Sequence, residues 1–167
     1  MFFGLTEEQE MIVRTVRSFV ENEIYPHENL VESKGSVPTE IAQDIKQKCI
    51  NLGFYACNFP ENIGGAGLNH LDFALVEREL GRGSMALTHF FGRPQNILMA
   101  CKDEQIEKYL LPAVRGDLMD ALAMTEPDAG SDVRGMKCFA KSEGSDWIVN
   151  GTKHFISGAE HADFIIV

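Results

Sequence analysis

The apolar residues change their period near residue 117, and no composition total constrains the fold as tightly. Ahead of that point they recur at helical spacing. Thr6 and Gln9 have the separation of a capping box, and Ile12, Val16, Phe19 and Ile24 line one face until Pro26 removes a backbone donor. A second helix is predicted from Pro38, with Ile41, Ile45, Cys49 and Leu52 on one side and Gly53 as its stop. The stretch FYACNFPENIGGAG, residues 54–67, is loop-forming, and Asn69 then caps LDFALVEREL as far as Gly81. Two more helices are predicted, over residues 85–101 with a kink near Gly92 and Pro94, and over residues 103–114 with Ile106, Tyr109 and Leu110 as the apolar stripe. Beyond 117 the segments MKCFAKS, DWIVNG, TKHFISG and DFIIV are short and β-rich, separated by EGSD and by the Asn150-Gly151 turn signal. The predicted class is α+β, an all-α domain over 1–117 followed by the start of a β domain over 118–167. Because 164–167 would end the chain on an apolar strand with unpaired amides, the second domain is expected to be incomplete.

Charge and side-chain inventory narrow the partners. With 15 basic against 25 acidic residues the net charge is -10, which opposes a broad phosphate-backbone surface, so nucleic acid is not an expected partner. No apolar run approaches the roughly 20 residues of a membrane-spanning helix. Cys49, Cys57, Cys101 and Cys138 lack a paired C-x-x-C spacing and read as buried, reduced thiols of the core. His27, His70, His89, His154 and His161 share no i, i+4 spacing, so no metal site is predicted. The opening MFFGLTEEQEM has neither a basic start nor an apolar core, and the expected location is cytoplasmic.

The stretch AMTEPDAGSDVRG, residues 123–135, sits where helices give way to strands. Thr125 and Ser131 offer hydroxyls, and Gly130 lets backbone amides come close to a ligand, so the loop suits a polar cofactor; by residue chemistry alone an exposed interdomain turn, capped locally by Asp and Ser, is the commoner use of such a stretch. Gly64-Gly65-Ala66-Gly67 follows no strand and lacks the third glycine of a dinucleotide fingerprint, so it reads as a loop before a capped helix. Arg78 and Glu79 read as a solvated charged face, and His89-Phe90-Phe91 as core.

The same stretch resembles the flavin-binding signature of the acyl-CoA dehydrogenases at Thr125, Glu126, Pro127, Gly130, Ser131 and Asp132. A second signature of that family, N-G-x-K-x-(W/F)-I-(T/S), is matched by Asn150 to Ser157, and LTEEQEMIVRTVRSFVENEI, FPENIGGAGL and VERELGRGSMAL resemble its N-terminal helical domain in order. The resemblance spans essentially the whole chain. It implies an N-terminal helical domain, part of a middle β-barrel domain, and a C-terminal helical bundle absent from these residues. It implies FAD as cofactor, with Leu122, Met124 and Thr125 beside the flavin ring and its pyrimidine edge, and Gly130 and Ser131 in the phosphate loop, Ser131 also facing the thioester substrate. Phe155 would flank the ring beside Ile156, and Ser157 would bond near N5. Many relatives carry Trp at the position of Phe155, Thr at that of Ser157 and an aromatic residue at that of Leu122. The implied reaction is α,β-dehydrogenation of an acyl-CoA to the enoyl-CoA, with electron-transferring flavoprotein as acceptor and a homodimer or homotetramer as the assembly. The implied base is a carboxylate of the C-terminal domain, so no catalytic residue is assigned here; Glu126 is a loop-structuring residue in the motif. A flavin oxidase or monooxygenase on the same fold, and a non-catalytic family remnant acting as an interaction module, are the rival expectations.

Overall fold

The computed structural model describes residues 4–167; Met1 to Phe3, the start of the stretch read for a targeting signal, lie outside the described residues. The chain forms two compact units, one ending at Asp117 and one covering Leu118–Val167.

In the first unit Thr6 and Gln9 complete the capping box, each side chain bonding the other's backbone amide, and α1 runs Glu7–Phe19. Its buried stripe of Ile12, Val13, Val16 and Phe19 packs on α4, His70–Leu80, whose amides at Leu71 and Asp72 are capped by Asn69. Pro26 does not end the first helix. A π-turn over Val20–Ile24 absorbs the irregular register, and α2 continues over Tyr25–Lys34 with the proline in its first turn, where a missing N–H costs nothing. The same device recurs at Ile106–Leu110, a π-turn ahead of α6, Leu111–Arg115, with Pro112 in its first turn. Between these, α3 covers Thr39–Asn51 and buries Ala42, Ile45 and Cys49, whereas Leu52 caps it from outside the core.

The long helix predicted over residues 85–101 is broken. Only Met85–Thr88 is α-helical, as α5, followed by single turns at His89–Phe91 and Asn96–Ala100. The break is imposed from a distance, because Gly92 has φ 82° and the Tyr55 ring fills the space where a Cβ would stand, 1.8 Å from Cε2. Phe91, carried into the core by this turn, meets Phe19 edge-on with ring centroids 5.3 Å apart. Burying a side chain of that size contributes about 2–3 kcal/mol.

Glu79 overturns the expectation of a solvated charged face. It is 1 % exposed, and Arg17 of α1 grips its carboxylate at two points, 3.0 and 3.2 Å, while Arg78 adds a third contact. Arg17's hydrogen bonds hold the carboxyl below its ordinary range against the opposing effect of burial.

In the second unit β1, Asp120–Leu122, runs parallel to β4, Phe164–Ile166, with Asp120 opposite Phe164. Sequence reasoning had no strand at β1. β2, Phe139–Glu143, and β3, Asp146–Asn150, form an antiparallel hairpin around Gly144-Ser145, as the EGSD signal predicts. TKHFISG is not a strand; residues 151–156 are irregular and a turn begins at Ser157. Gly151 permits the departure, since a Cβ there would lie 2.7 Å from the Cys138 side chain at a φ of 150°.

Replacing Gly92 by Ala combines an unfavourable φ with overlap on Tyr55, and urea unfolding of the intact protein is expected to show a loss of about 2–4 kcal/mol.

Candidate functional site

The candidate site is the loop that leaves β1, together with the irregular stretch after β3. The Ala123 amide still bonds the Ile166 carbonyl at 2.8 Å, so the loop starts from a fixed strand end. Glu126 and Ala129 then bond each other reciprocally, at 2.9 and 3.2 Å, closing a tight turn around Pro127 and Asp128. The Asp132 side chain accepts from the Arg134 amide and sets a single helical turn over Val133–Gly135.

One carboxylate organises the rest. Glu126 is buried and accepts from the amides of Lys137 at 2.6 Å and Cys138 at 2.9 Å and from the Lys153 ammonium at 2.9 Å. The Lys137 amide bond leads, with Lys153 next, in pulling its pKa down to about 2. Lys153, itself 15 % exposed, also donates to the Met124 carbonyl at 2.9 Å. Beside it the His154 amide donates to the Thr125 carbonyl at 3.0 Å. The two stretches singled out in the sequence are therefore laced together side by side.

Each residue predicted for the site can be placed. Leu122 ends β1 and is half-buried; Met124 and Thr125 follow it on the laced segment, Met124 exposed and Thr125 half-buried. Gly130 and Ser131 lie exposed just past the Glu126 turn, with open space where a Gly130 Cβ would project. Phe155 stands 85 % exposed at a φ of 57°, with the His154 ring 4.2 Å away. Ile156 is half-buried, and Ser157 is exposed and opens the next turn. A left-handed backbone costs a bulky residue roughly 1–2 kcal/mol, so the chain holds an aromatic ring out to solvent at an energetic cost. Such outliers concentrate where a ligand is bound.

Among the described residues the hydroxyls of Thr125, Ser131 and Ser157 make no hydrogen bond, and the Thr125 amide bonds no carbonyl. Unused donors flanked by an exposed aromatic face fit a flat heterocycle edged with carbonyl oxygens and carrying phosphates. A flavin dinucleotide is a group of that kind. Sequence reasoning gave Lys153 no role and treated Glu126 only as a loop residue; the available signal was that each lies inside one of the two stretches singled out, TEPDAGSD and NGTKHFIS.

Comparison with known proteins identifies the family. The family description "acyl-CoA dehydrogenase, N-terminal domain" matches residues 6–117, and "acyl-CoA dehydrogenase, middle domain" matches residues 121–167. The chain belongs to the acyl-CoA dehydrogenase family. It is 37% identical to a 3-(aryl)acrylate reductase of Clostridium sporogenes, over 100% of this chain and 44% of that protein. To a subunit of the caffeyl-CoA reductase-Etf complex of Acetobacterium woodii it is 33% identical, over 100% of this chain and again 44% of the relative. Among solved structures, a glutaryl-CoA dehydrogenase from Mycobacterium smegmatis in complex with FADH2 superposes with a TM-score of 0.82 at 30% identity, over 96% of this chain and 42% of that one. The chain thus spans less than half the length of the relatives it matches.

Glu126 has a folded pKa of about 2 against an ordinary 4.5, so its contribution is complete above the ordinary value and is lost as pH falls towards 2. In Glu126→Gln the amides of Lys137 and Cys138 are expected to exchange with deuterium at least about tenfold faster at neutral pH, while amides of α1 and α4 keep their protection.

Proposed function

We propose that this chain carries the flavin and thioester contacts of an enzyme that removes hydrogen across the α,β bond of an acyl-CoA. The observation that carries the reading is the lacing of Thr125 to His154, which sets unused donors and the strained, exposed Phe155 along one short loop system. FAD, when bound, supplies hydride acceptance from the β-carbon. In this reading Leu122, Met124 and Thr125 lie against the ring and its pyrimidine edge, and Gly130 and Ser131 hold phosphate oxygens. Ser131 also faces the thioester. Phe155 covers the ring beside Ile156, with the Ser157 hydroxyl at the reacting edge. The protein's part is orientation and exclusion of water from the reacting atoms.

Glu126 is not the base. Its carboxylate already accepts three hydrogen bonds and its pKa lies near 2, so it is a poor proton acceptor at neutral pH. The α-proton passes, in this proposal, to a carboxylate outside residues 1–167 of a longer polypeptide that assembles as a homodimer or homotetramer. Electron-transferring flavoprotein is the proposed acceptor; the Acetobacterium woodii relative is described as a subunit of an Etf complex.

A second reading runs the same chemistry backwards. Two of the relatives are described as reductases, which favours saturation of an α,β-unsaturated, aryl-substituted acyl group as the physiological direction.

The test is anaerobic. Protein from the complete reading frame is expected to purify with FAD, and its visible flavin band is expected to bleach on adding a saturated acyl-CoA. Recovery of the band with an arylacrylyl thioester would assign the reductive direction. Absence of bleaching with a panel of thioesters would refute both directions, and fast reoxidation by air with peroxide release would reassign the protein as an oxidase. Thr125→Val and Ser157→Ala are each expected to weaken FAD retention by about tenfold, read by equilibrium dialysis.

A further inference from the structure

The Lys153 ammonium lies among the Met124 carbonyl, the Glu126 carboxylate and the Met136 sulfur. It is 15 % exposed, and both of its oxygen contacts, the Met124 carbonyl and the Glu126 carboxylate, lie on the loop that leaves β1. The carboxylate contact is an ordinary buried ion pair. The carbonyl contact is different, because Met124 C=O and Thr125 N–H belong to one peptide group. All described peptides are trans, so the N–H points away from the C=O that receives the ammonium. The Thr125 amide bonds no carbonyl, as the Met124 amide before it also does not, whereas the next peptide along, Thr125 to Glu126, has both ends used, by the His154 amide and the Ala129 carbonyl.

A cation on the carbonyl oxygen draws electron density through the conjugated amide and makes its N–H a stronger donor, as hydrogen bonds in a chain polarise one another. We propose that Lys153 is a positioning residue that polarises the Met124–Thr125 peptide, so that the Thr125 amide presents an electropositive donor to a ligand atom that gains negative charge during the reaction. Glu126 sets the strength of the effect by sharing the same ammonium through Oε1. The inference rests on the flavin reading of the loop, in which that atom belongs to the edge of the heterocycle and the negative charge appears on reduction. Lys153 then favours the reduced, anionic form over the oxidised one and touches neither substrate nor reacting atoms.

A merely structural strut would change stability alone. A polarising one moves the reduction potential of the bound flavin, and it moves it in opposite directions for the two partners. Lys153→Met removes the cation and should shift the potential negative, lowering the ratio of reduced to oxidised flavin at a fixed redox poise by about tenfold. Glu126→Gln leaves the ammonium on the carbonyl uncompensated and should shift it positive, and Lys153→Arg should restore the wild-type value. Flavin-free protein supplies a second readout, since the Thr125 amide proton resonance should move upfield in Lys153→Met and return in Lys153→Arg. All measurements use the full-length protein.

Potentials that move the same way in Lys153→Met and Glu126→Gln, or an unchanged Thr125 resonance in folded Lys153→Met, would overturn the inference while leaving the flavin reading in place. Should Lys153→Met not fold, Glu126→Gln and Lys153→Arg still decide, because a negative or null shift in the first or a lost potential in the second overturns it. A wild-type protein that binds no flavin would refute the flavin reading, and the inference with it.

Discussion

The Glu126 carboxylate is the point on which the second unit's loop system depends. Three donors from two separate segments reach it, two of them backbone amides at consecutive positions and the third the Lys153 ammonium. A loop with Pro127 and two glycines has little regular hydrogen bonding of its own, and an unsatisfied buried amide costs more than a typical hydrogen bond contributes. The carboxylate resolves both problems at once. It satisfies Lys137 and Cys138 and, through Lys153, fixes the direction of the peptides from Met124 onward.

The helical unit uses an acid in the same manner for a different end. Glu79 faces inward from α4, and without Arg17 of α1 its buried carboxylate would lose two hydrogen bonds and its partner on the facing helix. The ion pair therefore sets the rotation of α1 on α4 along with the apolar stripes, and it excludes alternatives in which either helix turns its polar side to the other. Arg78 and Arg82 share the carboxylate from the solvent side.

Local signals were legible in the sequence and distant ones were not. The capping box at Thr6 and Gln9, the Asn69 cap and the EGSD hairpin turn depend on residues within a few positions, and each lies where its spacing places it. Pro26 misled because a proline breaks only the helix it sits inside, and a π-turn upstream returns it to a first turn. The break at Gly92 depends on Tyr55, and the burial of Glu79 on Arg17, 62 residues away; neither distance has a trace in a periodicity count. At the candidate site, residue types could be read from TEPDAGSD and NGTKHFIS, but the Lys153 contact and the left-handed Phe155 could not, because both follow from how two stretches meet.

Trp147 lies on the β2–β3 hairpin, 68 % exposed, and it is the chain's one tryptophan. Its emission consequently reports the second unit and is silent about the helices, which dominate the far-ultraviolet dichroism. For residues 1–167, unfolding curves recorded by fluorescence and by dichroism belong to different units, and the gap between their midpoints measures how cooperatively those units melt. Residues 1–167 carry their own two-channel thermometer, one channel for each unit.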